Sequence, residues 1–137
     1  GGYRRLESTP NAADQARLVA EAILGRPAPY ETVPWFWSDQ FDVKLQVTGI
    51  SPDYTETVVR GDPNIGRALT VFYLREGIVE AADMASSPRD FAQAKKLVAG
   101  RAVVPPIELA DTSLELRDLV TKYVANLNGF GGDGCPR

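Results

Sequence analysis

The sequence predicts an α+β fold: an antiparallel sheet of about four strands with helices packed on one side. Two observations carry that expectation. From residue 43 apolar side chains recur at every second position, and short apolar runs separated by turn residues continue to residue 84, the mark of short strands met in sequence order. On both sides of that block the apolar spacing lengthens to that of a helix, and each helical stretch follows a capping residue. Strands in one run with helices before and after them read as a covered sheet rather than alternating βαβ units. No segment repeats.

Tyr3 to Ser8 reads as an entering strand or arm. Thr9 then caps a helix whose first position is Pro10, where the missing N–H costs nothing. Ala12, Ala16, Val19 and Ile23, with Leu18 and Ala22 beside them, form its apolar stripe, and Gly25 closes it. Pro27, Pro29 and Pro34 forbid a helix or central strand and make residues 27–34 an extended connector, the one seam in the chain. The stretch VPWFWSDQ, residues 33–40, follows. In extended chain Trp35 and Trp37 face one way and Phe36 the other, so at least one face needs something flat or apolar to cover it.

Val43, Leu45 and Val47 alternate with Lys44, Gln46 and Thr48, as in a strand with one wet face. Turns at residues 49–53 and 61–64 bound a strand from Tyr54 to Arg60. Strands from Ala68 to Leu74 and from Ile78 to Met84 join through the hairpin Arg75-Glu76-Gly77. Ser87, Pro88 and Asp90 open a helix with a buried stripe of Phe91, Ala94, Leu97 and Val98, ended by Gly100. Phe41 is read as core, like Phe91. Residues 103–109, with two prolines, read as an irregular crossing. Thr112 with Glu115 suggests a last cap, before Leu116, Leu119, Val120, Tyr123 and Val124 on one helical face. Four glycines after Asn128 mark a flexible tail.

Composition excludes more than it selects. A net charge of −3 exerts no overall pull toward nucleic acid or anionic membrane. No apolar run approaches the roughly 20 residues of a membrane span. One cysteine, Cys135, has no partner within the chain, which is compatible with a reducing, cytoplasmic setting. Histidine is absent, which removes the commonest general base and a common metal ligand, so no metal site and no catalytic residue is assigned. Neither GxGxxG opening a helix nor GxxxxGK[ST] occurs, so the chain has no phosphate-cradling loop of its own.

The run VPWFWSDQFDVKLQVTGIS resembles the start of the C-terminal domain of the FAD-dependent ferredoxin reductases, the family of putidaredoxin, rubredoxin and dioxygenase-ferredoxin reductases, with apoptosis-inducing factor a more distant relative. The resemblance continues through VVRGD, VFYLREG and SSPRDFAQAKKLV, and RRLESTPNAADQA is similar to the segment after the family's second FAD-contacting motif. It covers roughly residues 3 to 111 and fades after Asp111.

The resemblance implies four parts. Residues 1–26 continue from an FAD-binding domain that lies before this chain, 27–34 connect, 35–127 form the reductase C-terminal domain, and 128–137 are the tail. FAD and NAD(P)H belong to the full-length protein, and neither is expected in this chain alone, which should be inactive by itself. The PWFWS segment would lie beside the isoalloxazine, with Pro34 holding the backbone extended and Trp35, Phe36 and Trp37 supplying flat apolar wall. Glu7 and Ser8 would sit near the nicotinamide site. Arg4, Arg5, Lys44 and Arg60 are candidates for a basic rim that steers a small acidic [2Fe–2S] ferredoxin or rubredoxin. The same fold could instead serve as a stand-alone binding or dimerisation module, with its aromatic face at a homodimer contact.

Overall fold

The computed structural model describes residues 5–124. In chain order it holds α1 (Thr9–Ile23), β1 (Trp35–Gln40), β2 (Val43–Gly49), β3 (Glu56–Arg60), β4 (Leu69–Arg75), β5 (Ile78–Ala85), α2 (Pro88–Ala99), α3 (Pro106–Ala110) and α4 (Leu116–Tyr123). The strands make one five-stranded sheet in the order β1-β2-β5-β4-β3, every pair antiparallel. The fold is therefore the expected α+β sheet-and-helix arrangement, with one strand more. The aromatic run is itself an edge strand, because pairing Gln40 with Val43 leaves two residues, Phe41 and Asp42, to make the turn. Phe41 is thus a fully exposed tip residue with a left-handed φ of 54°, and not core.

The caps shift by short steps. Ser8, not Thr9, is the N-cap of α1, its hydroxyl accepting from Asn11 N–H at 3.4 Å. Glu115, not Thr112, precedes α4. Ser87 sits before α2 as expected, but its hydroxyl donates to Asp90 at 2.9 Å instead of capping the backbone. The crossing at 103–109 contains α3, since Pro106 starts a helix as readily as it ends one.

The core lies between the sheet and α2, α3 and α4, with Phe72, Leu74, Val79, Met84, Leu97 and Leu109 fully buried. Paired residues share a face, and Thr48 lies opposite Ala82 and Gln46 opposite Met84. The expected wet face of β2 is therefore the one turned toward the helices, and Val43, Leu45 and Val47 lie on the other side. An isolated alternation does not say which of its faces is covered; pairing with β5 decides it.

Gly49 closes β2 with φ 78°, and a Cβ there would meet the carbonyl oxygen of Glu80 at 2.1 Å. That close approach brings the end of β2 against the bulged part of β5. Burial pushes the Glu80 carboxyl up, but hydrogen bonds from Ser51 and Arg75 and the charges of Arg75 and Arg101 outweigh it and hold the group below its usual range. A depressed folded pKa contributes stability above the unfolded value of about 4.3, lost as pH falls through the lower folded value. Glu80→Gln is expected to cost about 1 kcal/mol at neutral pH, with the difference shrinking below about pH 4, as read by urea unfolding of both proteins across that window.

Candidate functional site

Asn11 organises the approach to the site. It is buried, its amide donates to Leu6 carbonyl oxygen at 2.7 Å, and its side-chain oxygen accepts from Tyr30 hydroxyl at 2.8 Å and from Gln15 at 3.1 Å. One side chain thereby ties the entering segment and the connector to the first turn of α1. Gly49 N–H donates to Pro34 carbonyl oxygen at 2.9 Å and holds the start of β1 to the end of β2.

The Gly49–Pro34 lock and Leu6, held by Asn11, border a cleft of about 220 Å³, lined also by Arg5, Glu7, Ser8, Trp35, Phe36 and Ile50. Five of the residues expected to bind cofactor, Glu7, Ser8, Pro34, Trp35 and Phe36, are brought together here. The first turn of α1 carries no acid, so its helix dipole is free to favour a negative or carbonyl group at the Ser8 end. Glu7 is exposed and pairs with Arg5 at 2.9 Å.

Trp37 lies apart from that cleft. It helps line a shallower depression with Trp35, Thr32 and Lys95, walled by Thr9, Pro10, Ala13, Asp14 and Arg17 of α1. Trp35 and Trp37 stack at 5.5 Å between ring centroids, Trp35 packs on Phe91 of α2 at 5.4 Å, and Lys95 holds its ammonium 4.9 Å from the Trp35 ring centre. Trp37 keeps 43% of its surface exposed. Trp35 borders both clefts, so a single aromatic stack separates them.

The expected basic rim is dispersed. Arg4 lies outside the described residues, as do Cys135 and the tail. Arg5 borders the first cleft. Lys44 is exposed, 3.4 Å from Asp39, and lines neither cleft. Arg60 is not on a rim at all: it belongs to β3 at the opposite edge of the sheet and is only 8% exposed. Its guanidinium donates to the carbonyl oxygens of Leu109 (3.2 Å), Asp111 (2.5 Å) and Leu114 (2.5 Å), fixing the segment between α3 and α4. The cations lining the depression that exposes Trp37 are instead Lys95, over the Trp35 ring, and Arg17, 3.7 Å from Asp14 of the same lining. Helical spacing within α1 and α2 gave no sign of them, because the helices meet β1 only in three dimensions.

The apolar wall, the carboxylate of Glu7 and the α1 N-terminus fit one edge of a flavin ring. The cleft is smaller than the roughly 300–1,000 Å³ that encloses a ligand of that size, so it would cover the ring rather than hold it. Among the described residues no cluster of three His, Cys, Asp or Glu could hold a metal, and no helix is long and apolar enough to cross a membrane.

The described residues form a helix-covered antiparallel sheet with an aromatic stack between two open clefts. Residues 35–120 match the family described as Reductase C-terminal, and the chain belongs to that family. It is 45% identical over 115 residues to the 5,5'-dehydrodivanillate O-demethylase ferredoxin reductase subunit of Sphingobium sp., covering 84% of this chain and 28% of that protein. To putidaredoxin reductase CamA of Pseudomonas putida it is 37% identical over 127 residues, covering 90% of this chain and 29% of that protein. The crystal structure of the covalent putidaredoxin reductase–putidaredoxin complex superposes with a TM-score of 0.81 at 36% identity, over 88% of this chain and 29% of that one. The chain thus spans under a third of the length of these relatives.

Proposed function

We propose that this chain works as the C-terminal part of a cytoplasmic FAD-dependent NAD(P)H–ferredoxin reductase, covering one edge of the flavin and presenting its outer aromatic surface to a small acidic iron–sulfur protein. The observation that carries this reading is that Trp35 borders both clefts. The first has the lining suited to a flavin edge; the second has an exposed indole in a lining of two cations, Lys95 and Arg17, and one acid, Asp14, a net positive surface suited to an acidic protein. FAD and NAD(P)H would be held mainly by the dinucleotide-binding folds that the resemblance implies ahead of this region.

When bound, the flavin would supply the hydride and single-electron chemistry. This chain's residues would position and shield. Trp35 and Pro34 would exclude water from the ring edge. Ser8 at the α1 N-terminus would favour a carbonyl or negative charge there, and the carboxylate oxygen of Glu7 not paired with Arg5 would accept an amide N–H of the nicotinamide. Arg17 and Lys95 would raise the encounter rate with an acidic acceptor, an effect that salt screens.

In the full-length reductase, Arg17→Glu combined with Lys95→Glu is expected to raise KM for ferredoxin about tenfold at low salt and to flatten its salt dependence. Reduction of ferricyanide, which needs no docking, should not change. An unaltered ferredoxin KM would defeat the assignment of this depression to the acceptor.

A further inference from the structure

At the end of the sheet away from the connector, two loop tips hold large apolar side chains in the open. Phe41, in the β1–β2 turn, is fully exposed, and Ile65, in the loop between β3 and β4, is 87% exposed. Neither tip is loose. An ion pair between Arg67 and Asp42 ties the two loops together. Asp62 shapes the second loop: its carboxylate accepts from Asn64 N–H at 2.8 Å, and its carbonyl oxygen from Ile65 and Gly66 N–H at 3.1 and 3.0 Å. Phe41 also holds φ at 54°, a conformation that strains a bulky residue and that Asn or Gly adopts readily. A side chain both strained and fully solvated gains nothing within the described residues; its gain lies in a contact beyond them.

We propose that Phe41 and Ile65 are the apolar part of the acceptor-docking surface, and that they select, among acidic iron–sulfur proteins, one with an apolar pocket to receive Phe41. The proposal rests on the function assigned above. Three observations choose this occupant. The first is continuity: Phe41 follows the strand that carries Trp37, four residues and about 13 Å further on. A weak redox encounter buries up to about 600 Å² a side, a disc about 28 Å across, which takes in both side chains. The second is area. Phe41 and Ile65 together offer about 350 Å², under half of the roughly 800 Å² per partner of a stable association, so the tips serve as part of a transient interface and do not hold a second copy.

The third observation is charge. Asp39 pairs with Lys44 at 3.4 Å and Asp42 pairs with Arg67, so these charges around the Phe41 turn cancel two by two. The cations that steer an acidic partner line the depression with Trp35 and Trp37 instead. Steering and selection are thereby separated along β1. Arg17 and Lys95 act at long range on any acidic protein, whereas an apolar contact acts only once the surfaces meet. Residues 5–8 and the connector, by contrast, meet the sheet at the Pro34–Gly49 end, about 20 Å back along β1, which sets the tips apart from the place where that segment joins.

The test uses the full-length reductase. Its acceptors are the [2Fe–2S] ferredoxin that it reduces at the highest kcat/KM, and ferricyanide as the probe that needs no docking. Phe41→Asn removes the aromatic side chain and suits the turn. The protein should therefore unfold at the same or a higher urea concentration, while kcat/KM for ferredoxin falls about tenfold. Ile65→Ser should lower it about threefold. Both losses should keep their size from low to high salt, whereas Arg17→Glu combined with Lys95→Glu departs from the parent mainly at low salt. A loss that salt abolishes, an equal loss with ferricyanide, or parent-like ferredoxin kinetics in Phe41→Asn overturns the proposal. The functional reading then still stands if Arg17→Glu with Lys95→Glu weakens ferredoxin reduction. A parent that sediments as a dimer, with a Phe41→Asn protein that does not, assigns the tip to a second copy and also overturns the proposal. Full-length enzyme that binds no FAD and reduces no ferredoxin overturns the functional reading and this inference with it.

Discussion

Trp37→Ala in the full-length reductase is expected to lower kcat/KM for ferredoxin reduction by about 30- to 160-fold, the loss that removing an aromatic anchor of about 2–3 kcal/mol produces. The indole is 43% exposed and stacked on Trp35 at 5.5 Å, so truncation removes contact surface from the acceptor side and one half of the stack. Its surroundings tolerate the change, because Trp35 keeps its packing on Phe91 and its cation from Lys95. Flavin content and ferricyanide reduction should therefore stay near the parent values, and Trp37→Phe should recover most of the ferredoxin activity. Paired measurements with ferredoxin and ferricyanide decide the matter. An equal loss with both acceptors would move Trp37 to the flavin side of the stack, and no loss with either would remove it from the site.

Arg60→Met carries the largest expected effect on stability, a loss of about 3–4 kcal/mol. Methionine fills much of the volume but donates nothing, so the carbonyls of Leu109, Asp111 and Leu114 lose a charged donor together, and Asp90, 3.9 Å from the guanidinium, loses its nearest cation. Arg60→Lys should recover only part of the loss, since one ammonium cannot reproduce the planar fork that spans all three oxygens. Urea unfolding followed by tryptophan fluorescence measures it. A change below about 1 kcal/mol would mean that water replaces the guanidinium at these carbonyls. Ferredoxin reduction per folded molecule should be unaltered, because Arg60 lies at the β3 edge and the aromatic stack at the β1 edge.

Much of the local structure was legible because its causes are local. Pro10, Pro88 and the glycines beyond the first two helices act within a turn of the chain, and α1 and α2 start and stop within two residues of where those residues predict, whereas α3 reads in the sequence as an irregular crossing. The parity of Trp35, Phe36 and Trp37 was equally legible, since alternation along an extended chain depends on nothing beyond the backbone. Arg60 was misread for the opposite reason. An arginine at the end of a strand looks the same in sequence whether it meets water or three carbonyls arriving some fifty residues later. Asn11 gave no more sign of its role, because its partners Leu6 and Tyr30 come from either side of the helix it begins.

By itself, the sequence determined the class of fold, the parity of the aromatic strand, the absence of a nucleotide loop and, through the run PWFWSDQ, the resemblance to ferredoxin reductases. These follow from residue type, period and order. Only the tertiary structure decided which face of β2 is covered, that Trp35 stands between two clefts, that Arg17 and Lys95 line the depression with Trp37, and that Arg60 is buried. Each of those depends on strand register and helix placement, where segments far apart in the chain meet and the free energy of burial is shared among them.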